Sequence, residues 1–175
     1  MIHFVGAGSG AVDLITIRGA ELLKKADVII YAGSLVNPEL LNYAPESCEV
    51  FNSAEMTLNE VIEQMIKAEK EGKMTVRLHT GDSSIYGAIR EQMDRLDGEG
   101  IEYDVCPGVS SFCGAAASLK AEYTLPDVSQ SVIITRMAGR TPVREDESIA
   151  SFAAHGATMV VFLSTGLLKE LSREL

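Results

Sequence analysis

Short apolar runs alternate along this chain with longer segments whose apolar residues recur at helical spacing. Buried strands of a parallel sheet are nearly continuous apolar runs, bounded by turn residues. Four runs in the first half of the chain have this pattern: Ile2–Val5, Asp27–Tyr31, Glu49–Asn52 and Thr75–His79. A fifth, Ile101–Val105, alternates apolar and polar residues, which predicts a strand near the edge of a sheet with one solvated face.

Helical patterns separate these strands. Thr57 and Glu60 form a capping-box signature ahead of a helix that is predicted to end at Gly72. Thr16–Lys25 and Ile85–Leu96 have apolar residues on one helical face. Strands that alternate with helices predict an α/β fold, here an N-terminal, mostly parallel five-stranded sheet with flanking helices.

The pattern changes after a linker at 122–127. Two strands, Ser131–Arg136 and Thr158–Leu163, enclose a polar loop and a short helix, and a last helix begins near Gly166. We therefore predict an N-terminal α/β domain at 1–120 and the first part of a C-terminal α/β domain at 121–175. Because two strands make a thin domain, we expect this second, apparently truncated domain to be a fragment or to be completed by a partner.

Composition excludes several classes of function. The 175 residues are 46% hydrophobic, enough for a core, and the net charge of −10 argues against general nucleic-acid binding. No apolar run reaches the roughly 20 residues that span a bilayer, and the first residues lack the basic region of a signal peptide. Cys48, Cys106 and Cys113 lack metal or redox spacing, which predicts buried reduced thiols in a cytoplasmic protein.

The stretch Thr80–Gly87 is the first candidate for chemistry. It follows the fourth strand and precedes a predicted helix, and in an open α/β sheet ligands bind at this end of the strands. Its residues Asp82, Ser83 and Ser84 are also common helix N-caps. The sequence leaves both interpretations open, a ligand-binding loop and a capped helix.

Two other segments carry phosphate-loop or anion-site patterns. Gly6–Ala11 reads G-x-G-x-x-A after a strand, like a dinucleotide fingerprint, but Asp27 lies at the wrong end of the second strand to bind a ribose. Ser110 and Ser111 begin a helix of small residues, where backbone N–H groups can hold a carboxylate or simply be capped. A nicotinamide enzyme is therefore the weaker hypothesis.

No catalytic constellation stands out. The histidines His3, His79 and His155 are isolated, which favours structural roles, and no metal-ligand spacing is present. We predict no metal site and assign no catalytic residue.

Five stretches together resemble the tetrapyrrole (precorrin) methyltransferase family, and they cover nearly the whole chain. They are VGAGSGAVDLITIRG at Val5–Gly19, YAGSLVNPELL at Tyr31–Leu41, HTGDSSIYGAIREQMD at His79–Asp94, the segment Pro107–Pro126, and TRMAGRTPV at Thr135–Val143. YAGSLV and GRTPV are most similar to the branch that methylates C11 of precorrin-4 or cobalt-precorrin-4. The resemblance implies the tetrapyrrole methylase fold, a role in cobalamin (vitamin B12) biosynthesis, a tetrapyrrole substrate and a homodimer.

The resemblance also implies a cofactor and its site. Members of the family use S-adenosyl-L-methionine (SAM), which leaves as S-adenosyl-L-homocysteine, in a cleft between two domains. The positions that match the family's cofactor contacts are Ser9, Thr80, Gly81, Asp82, Ile85, Ser110, Ser111 and Leu163. Ser9 and Ser83 replace prolines that are usual in the family, which predicts more mobile loops.

Arginines are the candidates for binding the acceptor. Arg136, Arg140 and Arg144 lie in and around one loop, and guanidinium groups suit the carboxylate arms of a precorrin. A solvated charged loop explains the same residues equally well. Tyr86 is a further substrate-binding candidate, for which packing is the alternative.

Other functions within the resemblance remain open. The uroporphyrinogen branch has an aspartate near 32–34, where this chain has Ala32, Gly33 and Ser34. The alternatives are another tetrapyrrole methyltransferase, a relative similar to diphthine synthase, and a truncated SAM-binding fragment without activity.

Overall fold

The computed structural model describes residues 1–139 and 141–175, without the side chain of Ser34. The chain divides into two compact units, Met1–Ala115 and Ala116–Leu175. Each unit has its own parallel sheet. In the described residues, no helix is both long and apolar enough to cross a membrane.

The first unit is built on a five-stranded sheet in which every pairing is parallel. Its strands are β1 (Ile2–Gly6), β2 (Val28–Tyr31), β3 (Glu49–Asn52), β4 (Thr75–His79) and β5 (Tyr103–Cys106), in the order β3-β2-β4-β1-β5. The helices are α1 (Ile17–Leu23), α2 (Leu58–Lys70), α3 (Arg90–Gly98) and α4 (Ser111–Leu119). This confirms the predicted α/β class, with β5 at an edge of the sheet.

Two apolar layers hold the sheet between its helices. One layer packs Phe4 and Ile30 against α2 and α3 through Ile62, Met65 and Leu96. The other layer is formed by the strand side chains that point to the opposite face of the sheet, and it includes Leu23 of α1. Because both faces of the sheet are covered, β1, β2 and β4 are buried along nearly their whole length.

Local capping explains where two of the helices begin. Thr16 accepts a hydrogen bond from the Gly19 N–H at the start of α1. At α2 the predicted capping box is present, since Thr57 accepts from the Glu60 N–H while the Glu60 carboxylate accepts from the Thr57 N–H at 2.6 Å.

The predicted start of α3 is wrong. The pattern placed a helix from Ile85, but α3 begins at Arg90. Tyr86 and Ala88 have φ angles of 54° and 51°, in the left-handed region, which a right-handed helix does not contain. The spacing of apolar residues alone cannot predict this turn, because contacts with other parts of the chain impose its backbone conformation.

The prediction that all three cysteines are buried is also wrong in part. Cys106 is buried, Cys48 is partly exposed and Cys113 is exposed on α4. Cys113 lies among small residues of a short helix that has no fully buried position, so apolar neighbours in sequence did not mean burial.

The second unit contains β6 (Val132–Arg136) and β7 (Thr158–Phe162), which pair in parallel, and the helices α5 (Ile149–Ala153) and α6 (Leu168–Glu174). Ser148 caps α5 by accepting from the Ser151 N–H. Both strands are only partly covered, and within the unit the largest fully buried side chain is Ile149.

Candidate functional site

Three glycines bring the loops after β1, β4 and β5 into backbone contact. These strands are neighbours, so their carboxyl ends meet at one edge of the sheet. A Cβ on Gly6 would lie 2.6 Å from the Gly108 Cα, and a Cβ on Gly108 would lie 2.1 Å from the Gly81 carbonyl oxygen. Only glycine permits this approach, and the result is a junction made of main chain.

Main-chain hydrogen bonds fix the first loop against the central one. The Ala7 N–H donates to the His79 carbonyl at 2.7 Å. Gly8 and Gly81 then bond each other in both directions, with N···O distances of 3.2 and 2.9 Å. The glycine loop after β1 thus continues the parallel sheet by one antiparallel bridge, which places the two predicted cofactor loops side by side.

Asp82 joins the central loop to the loop after β5. Its Oδ2 accepts from the Gly108 N–H at 2.7 Å, and its Oδ1 accepts from the Ser84 N–H at 2.9 Å and from the Ser84 hydroxyl. Partial burial acts to raise the pKa of Asp82, but the bonds from Ser84 and Gly108 outweigh it and hold the pKa below its usual value. Asp82 is therefore a charged clamp between two loops, and it caps no helix.

Ser9 has a buried hydroxyl without a hydrogen-bond partner in the part of the chain that the structure describes. It lies against the first turns of α4, where a Cβ on Gly114 would be 2.5 Å from the Ser9 Oγ. Ser110 is nearly buried and lies next to Gly81, and Ser111 is the first residue of α4. The structure thus brings Ser9, Gly81, Asp82, Ser110 and Ser111 together at one edge.

The other predicted residues of the central loop lie beside this group. Thr80 and Ile85 are partly buried, and Tyr86 is 42% exposed. Ser83, which stands in place of the usual proline, is almost completely buried and its hydroxyl also lacks a partner among the described residues.

Two of the three histidines lie in strands of the first sheet. His79 is buried on the face of β4 toward α2 and α3, with its ring 6.1 Å from that of Phe4. Burial, with a smaller contribution from the charge of Arg77, lowers the pKa of His79 to about 3, so its ring is neutral at neutral pH. His3 Nδ1 bonds the carboxylate of Asp104 at 2.7 Å.

The second unit holds the predicted acceptor-binding arginines, and two of them are described. Arg136, at the end of β6, donates to the carbonyls of Thr141 and Pro142 at 3.2 Å. Arg144 makes a two-pronged contact with Asp146 at 2.7 and 2.9 Å. Both also line a small cavity of about 150 Å³. Arg140 lies outside the described residues.

Leu163 follows β7 in a strained conformation. Its φ is 56° and its side chain is 70% exposed. The next residue, Ser164, is buried and fixes this turn, since its hydroxyl donates to the Phe162 carbonyl and accepts from the Met137 N–H. A left-handed φ at a leucine costs free energy. Such strain is common at functional sites, and a functional role at the carboxyl end of this strand would explain it.

Sequence reasoning missed two features of the first unit. One is the long-range bond from Gly108 to Asp82. The other is Arg77, which is buried in β4 and bonded to Gln92 of α3. The only signal in the sequence was a charged residue in the middle of an apolar strand. Among the described residues, no group of three or more His, Cys, Asp or Glu side chains could hold a metal ion.

The chain is similar to known proteins along its whole length. The family model of the tetrapyrrole (corrin/porphyrin) methylases matches residues 1–175. The cobalt-precorrin-4 C(11)-methyltransferase of Methanocaldococcus jannaschii is 54% identical over 174 residues, which are 99% of this chain and 67% of that protein.

Solved structures agree with the sequence match. The crystal structure of a cobalt precorrin-4 methyltransferase superposes with a TM-score of 0.95 at 46% identity, and the match covers 99% of this chain and 72% of the other. A uroporphyrin-III C-methyltransferase from Thermus thermophilus, solved in complex with S-adenosyl homocysteine, has a TM-score of 0.79 at 26% identity, with coverages of 99% and 76%.

Proposed function

Because this chain belongs to the tetrapyrrole (corrin/porphyrin) methylases, we propose that it transfers a methyl group from SAM to C11 of precorrin-4 or cobalt-precorrin-4 in cobalamin biosynthesis. The observation that carries the proposal is the match to the Methanocaldococcus enzyme, at 54% identity over 99% of the chain. The membership confirms the family that the five sequence motifs predicted.

The edge of the first sheet fits a cofactor of this kind. The shielded Ser9 hydroxyl has no partner within the described residues, and it adjoins the first turns of a nine-residue helix, α4. The positive end of the helix dipole lies at a helix start and favours a carboxylate, which SAM carries. We propose that Ser9, Gly81, Asp82, Ser110 and Ser111 hold SAM, with Thr80 and Ile85 beside them.

The reaction asks little covalent chemistry of the protein. SAM supplies a methyl group that its positively charged sulfur makes electrophilic, and an electron-rich macrocycle supplies the nucleophilic carbon. What the chain contributes is alignment of the two molecules and exclusion of water, and alignment alone can lower a barrier by several kcal/mol. Asp82 serves this purpose by fixing two loops at once, and the neutral His79 is excluded as a general acid at neutral pH.

In the second unit, Leu163 remains a proposed cofactor contact and Arg136, Arg140 and Arg144 remain proposed acceptor contacts. Arg136 already bonds main-chain carbonyls and Arg144 already pairs with Asp146. We infer that Arg136 shapes its loop, while the exposed Arg144 can exchange Asp146 for a carboxylate arm of the substrate, because an exposed ion pair is worth little.

A second candidate is methylation of a different tetrapyrrole. The Thermus match at 26% identity favours it only as a general likeness. The discriminating experiment incubates the chain with methyl-labelled SAM and either cobalt-precorrin-4 or uroporphyrinogen III. We expect label in the first product alone, and label in the second alone would transfer the proposal to the other branch.

The homodimer and the cytoplasmic location also remain proposals. The three unpaired cysteines support a reducing compartment. Sedimentation equilibrium of the purified chain, whose mass is 18.8 kDa, distinguishes a dimer from a monomer.

The first experiment is a calorimetric titration of this chain with S-adenosylhomocysteine, with NAD as the control ligand. We expect micromolar binding of S-adenosylhomocysteine and no binding of NAD, since the carboxyl end of β2 carries Tyr31 and no ribose-binding acid. Absence of binding by both ligands would contradict a cofactor site in this chain, and binding of NAD would favour the nicotinamide hypothesis.

A further inference from the structure

Arg77 is a buried cation in an apolar layer. Its side chain is 6% exposed, on the face of β4 that packs against α2 and α3. Burial lowers its pKa to about 10, and among the described residues no carboxylate lies within ion-pair distance of its guanidinium. An unpaired buried charge is costly, so the hydrogen bonds that satisfy this guanidinium are more important than those of an exposed arginine.

The contacts of Arg77 lead from the centre of the sheet to the segment Ser83–Ile89. Its Nη1 donates to the Ile30 carbonyl at 3.0 Å, and its Nε donates to the Gln92 Oε1 at 3.1 Å. The Gln92 side chain, also buried, then donates through Nε2 to the Ala88 carbonyl at 3.1 Å. Arg77 thereby fixes which way the amide of Gln92 points, because only its oxygen can accept from a guanidinium.

The end point of these bonds is a strained piece of backbone. Tyr86 and Ala88 both have left-handed φ angles, which are rare for residues with a Cβ. Between them, Gly87 lies so close to Ser83 that a Cβ would be 2.1 Å from the Ser83 carbonyl oxygen. Strained residues persist only where neighbouring contacts hold them, and they cluster at functional sites.

The position of this segment connects it to the proposed reaction. Ser83–Ile89 begins directly after Asp82, and it carries Tyr86 with 42% of its surface exposed at the carboxyl edge of the sheet. An aromatic ring in such a place can pack against a large macrocycle, since aromatic side chains bury a large apolar face.

We propose that Arg77 and Gln92 are positioning residues, which hold Ser83–Ile89 in its strained form so that Tyr86 receives the tetrapyrrole. This inference rests on the proposed function and deepens it. It names the buried pair that holds Tyr86 in position to bind the acceptor, although the pair itself touches neither substrate.

The test uses Gln92→Glu in the full chain. A glutamate keeps an acceptor for Arg77 and gives the guanidinium an ion pair, so the core remains satisfied. It has no N–H to donate to the Ala88 carbonyl, so the segment loses its restraint. The matched control is Gln64→Glu on α2, the same substitution at a partly exposed position outside this chain of bonds.

Three measurements separate the possible outcomes. Hydrogen–deuterium exchange of the peptide covering 83–89 reports on order in the segment. Fluorescence titration with uroporphyrin III, a stable carboxylated macrocycle, reports on the acceptor site. Calorimetry with S-adenosylhomocysteine reports on the cofactor site. For Gln92→Glu we expect faster exchange confined to the segment and macrocycle binding weakened about tenfold, with cofactor affinity within about twofold of wild type. Gln64→Glu should match wild type in all three.

Unchanged exchange in Gln92→Glu would overturn the positioning role. Faster exchange with unchanged macrocycle binding would overturn the link to the substrate. A parallel loss of both affinities would indicate a merely structural effect and also overturn it. If the wild-type chain binds neither ligand, the proposed function fails, and the substrate role of Tyr86 fails with it. The exchange data would still show whether Gln92 orders the segment.

Discussion

Asp82 concentrates three hydrogen bonds on one partly buried carboxylate. Two come from Ser84, in its own loop, and the third comes from the Gly108 N–H, 26 residues away in sequence. Because the acceptor is charged, these bonds are stronger than neutral ones. A single side chain thus determines the spacing of two loops that we propose to contact SAM.

We therefore predict that Asp82→Ala weakens the binding of S-adenosylhomocysteine about tenfold and lowers the free energy of unfolding by about 1–3 kcal/mol. The loss of affinity follows from the freed loops, and the loss of stability from the unpaired Gly108 N–H. Calorimetry and urea unfolding measure the two effects.

Asp82→Asn is the conservative comparison for that variant. Its amide retains one acceptor oxygen, so it should keep part of the affinity and part of the stability. Wild-type affinity in both variants would remove Asp82 from the cofactor site.

At the scale of elements, the segment between β4 and α3 decides where the helix begins. Its apolar residues have helical spacing, and that spacing predicted a helix from Ile85. The backbone instead makes a tight turn at Ser83–Gly87, and α3 begins at Arg90. Periodicity reports which residues are apolar, but the turn depends on contacts with residues that lie elsewhere in the chain.

We predict that Gly87→Ala lowers the free energy of unfolding by about 1–3 kcal/mol, because its Cβ would collide with the Ser83 carbonyl oxygen. Gly98→Ala, in the last turn of α3, is the matched control. A Cβ there meets no atom within 4 Å, so this variant should be unchanged or more stable by up to about 1 kcal/mol. Equal unfolding curves for the two variants would show that the tight turn does not constrain Gly87.

At the scale of the whole molecule, the pH dependence of stability sums the contributions of all titratable groups. His79 makes an identifiable one, because its pKa is lowered to about 3 in the folded chain. The unfolded chain binds a proton at this residue below about pH 6.5, and the folded chain does not. The contribution is therefore fully present above pH 6.5 and is lost as the pH falls toward 3.

We predict that, because of His79, the free energy of unfolding of the wild type falls by about 1 kcal/mol for each unit by which the pH is lowered from about 6 to 4. Urea unfolding of wild type and His79→Gln between these pH values measures the difference. The variant should have the shallower slope. The same slope in both chains would contradict a buried neutral His79.

The sequence by itself determined the α/β alternation, the capping box of α2 and the family, because these depend on local composition and on motifs that are contiguous in the chain. It also placed the candidate cofactor loops, since glycines and serines followed the predicted strands. The tertiary structure alone decided that Asp82 bonds Gly108, that Arg77 is buried against Gln92, and that Tyr86 and Ala88 are strained. The first two features join residues from different elements, which meet only through the packing of the sheet and helices. The strained turn is itself held by the bond from Gln92 of α3 to the Ala88 carbonyl.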